Sequence, residues 1–155
     1  MSTYNRNNAI EYARQWWSAR NPKYANFDKM GGDCTNFISQ SLFAGISEMN
    51  YTPTFGWYYN SLSNRTPAWS GVNELYRFLV TNKGAGPRGH ECSIEKAQIG
   101  DICQLSFDGV KFSHSLIITR KDTDNIRIAT HTDDSYDRDL FTYPAVKMRF
   151  VHIIN

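Results

Sequence analysis

GGDCTNFISQ, residues 31–40, places a cysteine behind two glycines and at the start of an apolar run. Apolar residues then recur with the spacing of one helix face, and the pattern stops at Gly45, so we predict a helix from Cys34 to about that glycine. Asp33 is predicted to cap it. The free N–H groups of a helix N-terminus stabilise a thiolate and can donate to an oxyanion. The stretch therefore indicates a nucleophilic cysteine; the alternative is that Cys34 is a small buried hydrophobic residue.

The composition limits the class of protein. The chain has 155 residues, the usual size of one domain, and we treat residues 1–155 as a single domain. A hydrophobic content of 41% is enough for a packed core. The formal net charge is +2 and the basic residues are scattered, so nucleic acid is not an expected partner. No apolar run approaches the roughly 18 residues of a membrane span, and we expect a monomer.

The N-terminus and the cysteines bear on location and redox state. Arg6, Glu11 and Arg14 interrupt the first residues, so no signal peptide is expected. Action at a cell wall would then require another export route, a longer exported protein, a phage lysin or an effector. Three cysteines leave one unpaired, and a bond between Cys92 and Cys103 stays open. The absence of a C-x-x-C pair in the sequence argues against a structural zinc site.

The order of predicted elements indicates an α+β fold. Helical spacing predicts helices over residues 5–18 and 72–81, in addition to the one that begins at Cys34. Beyond residue 98 the pattern becomes strand-like. The predicted strands cover residues 102–107, 113–120, 126–131 and 147–154. Helices followed by strands are typical of helices packed on one face of an antiparallel sheet.

Residues 46–69 form a long predicted loop that carries six aromatic side chains. Long loops in compact domains are often functional. We therefore predict that Trp57 and Tyr58 contact substrate. The alternative is that these rings only pin the loop to the body of the protein.

A histidine, His114, opens the second predicted strand. If the following turn centres between Asp122 and Asn125, facing residues have numbers that sum to about 245 to 247, which places His114 opposite residues 131–133. An imidazole near a thiol can take its proton and later pass it to a leaving amine. A third polar group should hold the ring in one tautomer. His131 is the candidate for that orienting group, and Asp133 is the alternative.

GGDCTNFISQ, followed by TPTFGWYY and later by SHSLIIT and HTDD, resembles the bacterial family described as "putative amidase domain". That family is commonly placed in the papain-like, NlpC/P60 and CHAP group. The resemblance runs from the RNNAIEYARQWW segment to HTDD and implies a cysteine at a helix start, with a histidine and a third polar residue on adjacent strands of an antiparallel sheet. It implies Cys34 as the nucleophile and His114 as the base, with His131 or Asp133 as the third residue.

The reaction typical of that group is metal-free hydrolysis of amide bonds in wall peptides. The resemblance therefore implies a peptidoglycan or peptide substrate and no cofactor. Three alternatives remain open at this stage. One is a transglutaminase-like acyl transferase, which also carries Cys, His and an acid in that order. The others are an inert wall- or peptide-binding module and a metal site formed by Cys34, His114 and His131.

Overall fold

The computed structural model describes residues 2–155. The helices are α1 (Arg6–Trp16), α2 (Cys34–Ile46), the short α3 (Pro67–Ser70) and α4 (Val72–Thr81). A small hairpin between α2 and α3 consists of β1 (Tyr59–Ser61) and β2 (Asn64–Arg65). The remaining strands are β3 (Gly89–Cys92), β4 (Ile102–Ser106), β5 (His114–Asp122), β6 (Asn125–Thr130), β7 (Ser135–Asp139) and β8 (Lys147–Ile153). None of the described helices has the length and apolar character needed to cross a membrane.

Strands β3 to β8 form one antiparallel sheet in the order β3-β8-β4-β5-β6-β7. The helices of the N-terminal part pack against this six-stranded sheet, so the predicted α+β class is confirmed. The predicted hairpin register is confirmed as well. Ile117 faces Ala129 and Ile118 faces Ile128, so these facing residues have numbers that sum to 246. Beside the turn, Asp122 faces Asn125 and the sum is 247, because the register shifts between Ile118 and Arg120.

Side chains of the sheet alternate between two separate cores. Ile117 and Ala129 point to the core shared with α1 and α2, whereas Leu116 and Ile128 point to the opposite core. Residues 94–99 and 140–148 cover that second core. The same alternation assigns each polar residue at the start of β5 and the end of β6 to one face or the other.

Helix α2 is buried along most of its length and differs from the prediction at its end. The helix continues through Gly45 to Ile46, and Ser47 is the left-handed residue after it, with φ 57°. Gly45 therefore does not terminate the helix. It lies against Tyr4, where an added Cβ would stand 2.5 Å from Tyr4 Cε1 and 2.9 Å from the carbonyl oxygen of Asn5.

Candidate active site

Cys34 is the first residue of α2, and its residue is 7% exposed. The two preceding glycines have left-handed backbones, with φ 94° at Gly31 and 103° at Gly32, a conformation that glycine adopts without strain. The backbone of Ser115 lies close enough to the thiol to lower its pKa, and the Thr35 hydroxyl is 3.8 Å from the sulfur. Thr35, the next residue of α2, places its hydroxyl 2.9 Å from that of Ser115. The sulfur therefore lies beside the start of β5, the strand whose first residue is His114.

Burial raises the pKa of the Cys34 thiol above its usual range, and the nearby Asp33 carboxylate raises it further. Hydrogen bonds from Ser115 and Thr35 act in the opposite direction but do not outweigh burial. The expectation that the helix N-terminus lowers this pKa is therefore wrong. The resting site holds a neutral thiol rather than a thiolate.

His114 is also buried, at 6% exposure, and has aromatic neighbours on its face of the sheet. Its ring lies 5.7 Å from the ring of Tyr143 and 6.5 Å from that of Phe107, measured between centroids. Burial and, next, the charge of Arg138 lower the pKa of His114 to about 4, while Asp133 acts in the opposite direction. At neutral pH the imidazole is uncharged and able to accept a proton.

Thr130, at the end of β6, is a polar neighbour of His114 that the sequence analysis missed. Its Oγ1 is 3.4 Å from Nε2 of His114 and 2.8 Å from the carbonyl oxygen of Ser115. A hydroxyl has one proton, and the carbonyl is the shorter contact, so the oxygen is left to accept from Nε2–H. The bond to His114 is long for a hydrogen bond. It favours the tautomer in which Nδ1 carries no proton and can act as a base.

His131 does not meet His114 in this structure. Its Nδ1 is 2.5 Å from Oδ2 of Asp33, its Nε2 is 2.8 Å from the carbonyl oxygen of Trp16, and its ring stacks on Phe37 with centroids 4.0 Å apart. Both ring nitrogens are thus engaged on the helix side of the sheet, whereas alternation places His114 on the other side. The predicted orienting role of His131 has no contact to support it. The residue instead ties the loop before Cys34 to the end of α1.

Asp33 is buried at 1% exposure and is the partner that fixes this loop. Its carboxylate accepts from the backbone N–H of Phe27 at 2.8 Å and from the Asn36 side chain at 2.9 Å, besides pairing with His131. It makes no side-chain cap to the first turn of α2, so the predicted capping role is wrong. The carboxylate turns back to the loop because these three donors converge there, and Nε of Arg20 lies 3.6 Å from its Oδ2.

Two cavities flank the start of β5 and share Ser113. The first, which we call the histidine cavity, has a volume of about 280 Å³, and the second, the glycine cavity, about 340 Å³. The histidine cavity is lined by Phe107, Ser113, His114, Thr132, Asp133, Arg138, Tyr143 and Pro144. The glycine cavity includes Gly31 and Gly32, which lead to Cys34. Asp133, the alternative third residue, is therefore on the same cavity as His114.

Of the two loop residues predicted to contact substrate, Trp57 has a structural role. Trp57 is fully buried, and its indole N–H donates to the Ser39 hydroxyl at 3.0 Å. Its predicted role in substrate binding is therefore wrong, because no part of it is accessible. Tyr58 is half-buried, packs near Tyr51 and lines neither the histidine nor the glycine cavity. Its role in binding stays a prediction.

The structure also bears on the two other cysteines and on the alternative of a metal site. Cys92 on β3 and Cys103 on β4 are free and are separated by β8, where both face Phe150. Among residues 2–155, no group of three His, Cys, Asp or Glu side chains is arranged to hold a metal ion. A metal site with His131 would also compete with Asp33 and the Trp16 carbonyl for its ring nitrogens.

The fold and site together define a class: an α+β protein with a thiol at a helix start beside a strand that begins with a neutral imidazole. The family described as "Putative amidase domain" matches residues 3–154, and the chain belongs to that family. The chain is also 32% identical, over 98% of its length, to "Uncharacterized protein YhbB" of Bacillus subtilis (strain 168). It spans about half of that relative, 51% of its length. No solved structure matches the chain.

Proposed function

We propose that the chain is a cysteine-dependent amide hydrolase that acts on peptides of the bacterial cell wall through a thioacyl-enzyme. Family membership supports an amidase, and the bacterial relative supports a bacterial substrate. The observation that carries the proposal is that the Cys34 thiol lies next to the backbone of Ser115, directly after His114. We also propose a papain-like arrangement, because a cysteine at a helix start packed on an antiparallel sheet is what that group would require.

The first half of the proposed reaction begins from a neutral thiol and a neutral imidazole, and it requires the His114 ring, at the start of β5, to turn towards Cys34 on the helix side of the sheet. Nδ1 of His114 takes the proton of Cys34 as the sulfur attacks the amide carbonyl carbon. Backbone N–H groups at the start of α2 stabilise the negative oxygen of the tetrahedral intermediate. The C–N bond then breaks, and the imidazolium gives its proton to the departing nitrogen. The products of this half are a free amine and a thioester on Cys34.

Water completes the cycle. His114, neutral again, takes a proton from a water molecule as the oxygen attacks the thioester carbonyl. The carbon–sulfur bond breaks, the sulfur regains a proton from the imidazolium, and a carboxylic acid leaves. The hydrogen bond from Nε2 to Thr130 keeps Nδ1 available in both halves. In this scheme the thiol is activated only during the attack, which agrees with its raised pKa.

The test is release of amino groups from purified peptidoglycan. Cys34→Ala and His114→Ala should each abolish it, and the Cys34→Ala thermal melt should stay close to that of the unmodified protein. Cys92→Ser is the matched control, because this free, half-buried cysteine lies on the edge strand β3, and it should keep full activity. A Cys34→Ala variant that still releases amines would end the proposal. Capture of the acyl group by an added amine, at the expense of hydrolysis, would instead indicate a transglutaminase-like transferase.

One observation favours a second candidate, a wall- or peptide-binding module in which Cys34 is inert. The thiol is buried and its pKa is raised, which by itself describes an unreactive cysteine. Iodoacetamide labelling in the presence of wall peptides separates the two candidates. The hydrolase requires that Cys34 react faster than the buried Cys103, whose pKa burial also raises. Equal rates would favour the binding module.

The site of action and the assembly follow the same proposal. We propose that the chain works at the cell wall, as an exported domain, a phage lysin or an effector, and that it acts as a monomer. Fractionation of the producing cells, and sedimentation of the purified chain, would test these two points separately.

A further inference from the structure

Arg138, on β7, is held at the wall of the histidine cavity by two contacts. Its guanidinium stacks on the ring of Tyr143, with Cζ 3.7 Å from the ring centroid. Its Nε donates to the Thr142 hydroxyl at 2.8 Å, and that hydroxyl donates in turn to the carbonyl of Asp139 at 2.7 Å. These contacts use one face and one nitrogen of the guanidinium. Its two terminal nitrogens remain for another acceptor.

No carboxylate of residues 2–155 forms an ion pair with Arg138, although its cavity contains one. Arg6 and Arg20, by comparison, pair with Asp101 and with several aspartates. Asp133 lines the same cavity as Arg138, yet the two side chains do not pair with each other or with any other charged group of the described chain. The guanidinium of Arg138 and the carboxylate of Asp133 thus line the histidine cavity without pairing with each other.

The backbone beside this cavity is also unusual. Thr132 has φ 66° and Asp133 has φ 57°, and the left-handed region is unfavourable for a β-branched residue such as threonine. Strain of this kind persists where the surrounding structure holds it, and it clusters at binding and catalytic sites. The two residues turn the chain between β6 and β7, which brings Asp133 and Arg138 to the same cavity as His114.

We infer that the histidine cavity binds the amine-side residue of the substrate, and that Arg138 selects a residue that carries a free carboxylate. This inference rests on the proposed amide hydrolysis, in which His114 gives a proton to the departing nitrogen. The departing residue must then lie next to His114, in the cavity that His114 lines. Once released, it carries an ammonium group, which Asp133 complements, and its carboxylate suits the two terminal nitrogens of Arg138.

The size of the cavity agrees with a single residue. Its volume of about 280 Å³ lies below the range of roughly 300–1,000 Å³ that small-molecule sites usually have. The acyl side of the substrate would extend past Cys34 into the glycine cavity, which shares Ser113 with the histidine cavity. The carboxylate could be the α-carboxylate of a terminal residue or belong to an acidic side chain, and the test separates the two.

The test measures peptide binding to the Cys34→Ala protein by calorimetry, so that no turnover occurs. Acetyl-Ala-Ala-Ala with a free C-terminus is compared with its C-terminal amide, and acetyl-Ala-Ala-Glu-amide with acetyl-Ala-Ala-Gln-amide. We expect an acid to bind about tenfold more tightly than its neutral partner in one of the pairs, as charge-assisted hydrogen bonds allow. The pair that shows the preference identifies the source of the carboxylate.

Three further variants on the Cys34→Ala background complete the design. Arg138→Gln should remove the preference, and Arg138→Lys, which keeps the charge, should restore part of it. Arg120→Gln is the matched control, because it removes one positive charge from an exposed site on β5 and should leave the preference unchanged. Equal binding of acid and amide in both pairs, no binding of either acid, or a preference that survives Arg138→Gln would overturn the inference.

Cleavage by the protein with Cys34 intact separates this inference from the proposed function. If peptides are cut at equal kcat/KM whether or not they carry the carboxylate, the hydrolase stands and the selection by Arg138 fails. If no peptide or wall preparation is cut while the preference that depends on Arg138 persists in binding, hydrolysis fails and the carboxylate site remains.

Discussion

The pair of Asp33 and His131 provides the sharpest test of how the site is built. Both side chains are 1% exposed, and Nδ1 of His131 is 2.5 Å from Oδ2 of Asp33. Asp33→Asn keeps the size of the side chain and removes its charge. The substitution leaves the buried ring without its carboxylate partner, while its other nitrogen still meets the Trp16 carbonyl.

The expected cost is large for a single substitution. Each ring nitrogen of His131 faces an acceptor oxygen, which is the geometry of an imidazolium paired with a carboxylate. Removing one member of such a buried pair destabilises a protein by about 3–5 kcal/mol. The backbone N–H of Phe27 and the side chain of Asn36 also lose a charged acceptor, which places the loss in the upper part of that range. Since a domain is usually stable by only about 5–15 kcal/mol, the urea midpoint should fall clearly.

The assay is urea unfolding followed by tryptophan fluorescence, for which the buried Trp57 and Trp69 are suitable reporters. Asp33→Asn, His131→Asn and the double variant form a cycle, and the double should cost less than the two singles together by about 1–3 kcal/mol. Asp28→Asn is the control, because Asp28 also pairs with Arg20 but is 41% exposed. It should cost no more than about 1 kcal/mol.

Two results would refute this reasoning. A loss below about 1 kcal/mol for Asp33→Asn, or strict additivity in the cycle, would show that the buried pair is not a unit of stability. The same proteins also test the orienting role of His131. If His131→Asn lowers kcat strongly while the urea midpoint hardly moves, His131 acts on the catalytic base after all, and the structural role fails.

Three further predictions concern packing, the base and pH. Gly45→Ala should lower the free energy of unfolding, measured in urea, by about 1–3 kcal/mol, because the added Cβ would overlap Tyr4. Gly84→Ala, where the nearest atom would be 3.7 Å away, should leave it nearly unchanged. Equal effects of the two substitutions would contradict this prediction. Thr130→Val should lower kcat about fivefold, because it removes one neutral hydrogen bond to His114, which is worth about 1 kcal/mol. Thr130→Ser keeps the hydroxyl and should not lower kcat. An unchanged kcat in the valine variant would exclude Thr130 as the residue that orients the His114 ring. The kcat/KM of peptide cleavage should rise as pH rises through about 4, the lowered pKa of His114, because only the neutral ring accepts the thiol proton; a midpoint near 6.5 would contradict the burial of that ring.

The local patterns of the sequence were sufficient for the main elements. Helical spacing predicted residues 72–81, which the structure gives as Val72–Thr81, and the apolar run predicted a helix starting at Cys34. The polar turn between Asp122 and Asn125 set the pairing of the residues beside it, because a short turn leaves few ways to pair its strands. The edge strands β3 and β7 were not predicted. Their sequences, GHEC and SYDRD, carry no apolar alternation, and pairing with a neighbouring strand is what orders them.

The way in which the residues of β5 and β6 face each other explains why the sequence analysis missed Thr130 and chose His131. With facing residues that sum to 246, His114 shares a face with residues of even number on β6, including Thr130. His131 has an odd number and lies on the other face. Beside the turn, however, facing residues sum to 247, and an irregularity between Ile118 and Arg120 changes the sum to 246. No residue pattern marks that irregularity, so the predicted range of 245 to 247 left the face of each residue open.

The raised pKa of Cys34 and the burial of Trp57 could not be predicted from local sequence patterns. Both depend on which distant segments cover a residue. For Cys34 these are the start of β5 and the loop at Asp33, and for Trp57 they are α2 and the neighbouring rings of Trp69 and Phe78. A helix start identifies the place of a thiol in the chain, whereas the polarity of its surroundings is set only when the helix docks on the sheet.

Thr130 and His131, successive residues at the end of β6, contact different parts of the site from opposite faces of the sheet. His131 fixes Asp33, the residue before the nucleophile, on the helix side, while Thr130 meets His114 on the other side. A slip of one residue in the pairing of β5 with β6 would exchange these faces and break both contacts at once. Both contacts therefore depend on the register of one hairpin. For this reason we expect substitutions at residues 123–124, in its turn, to affect activity only if they shift that register.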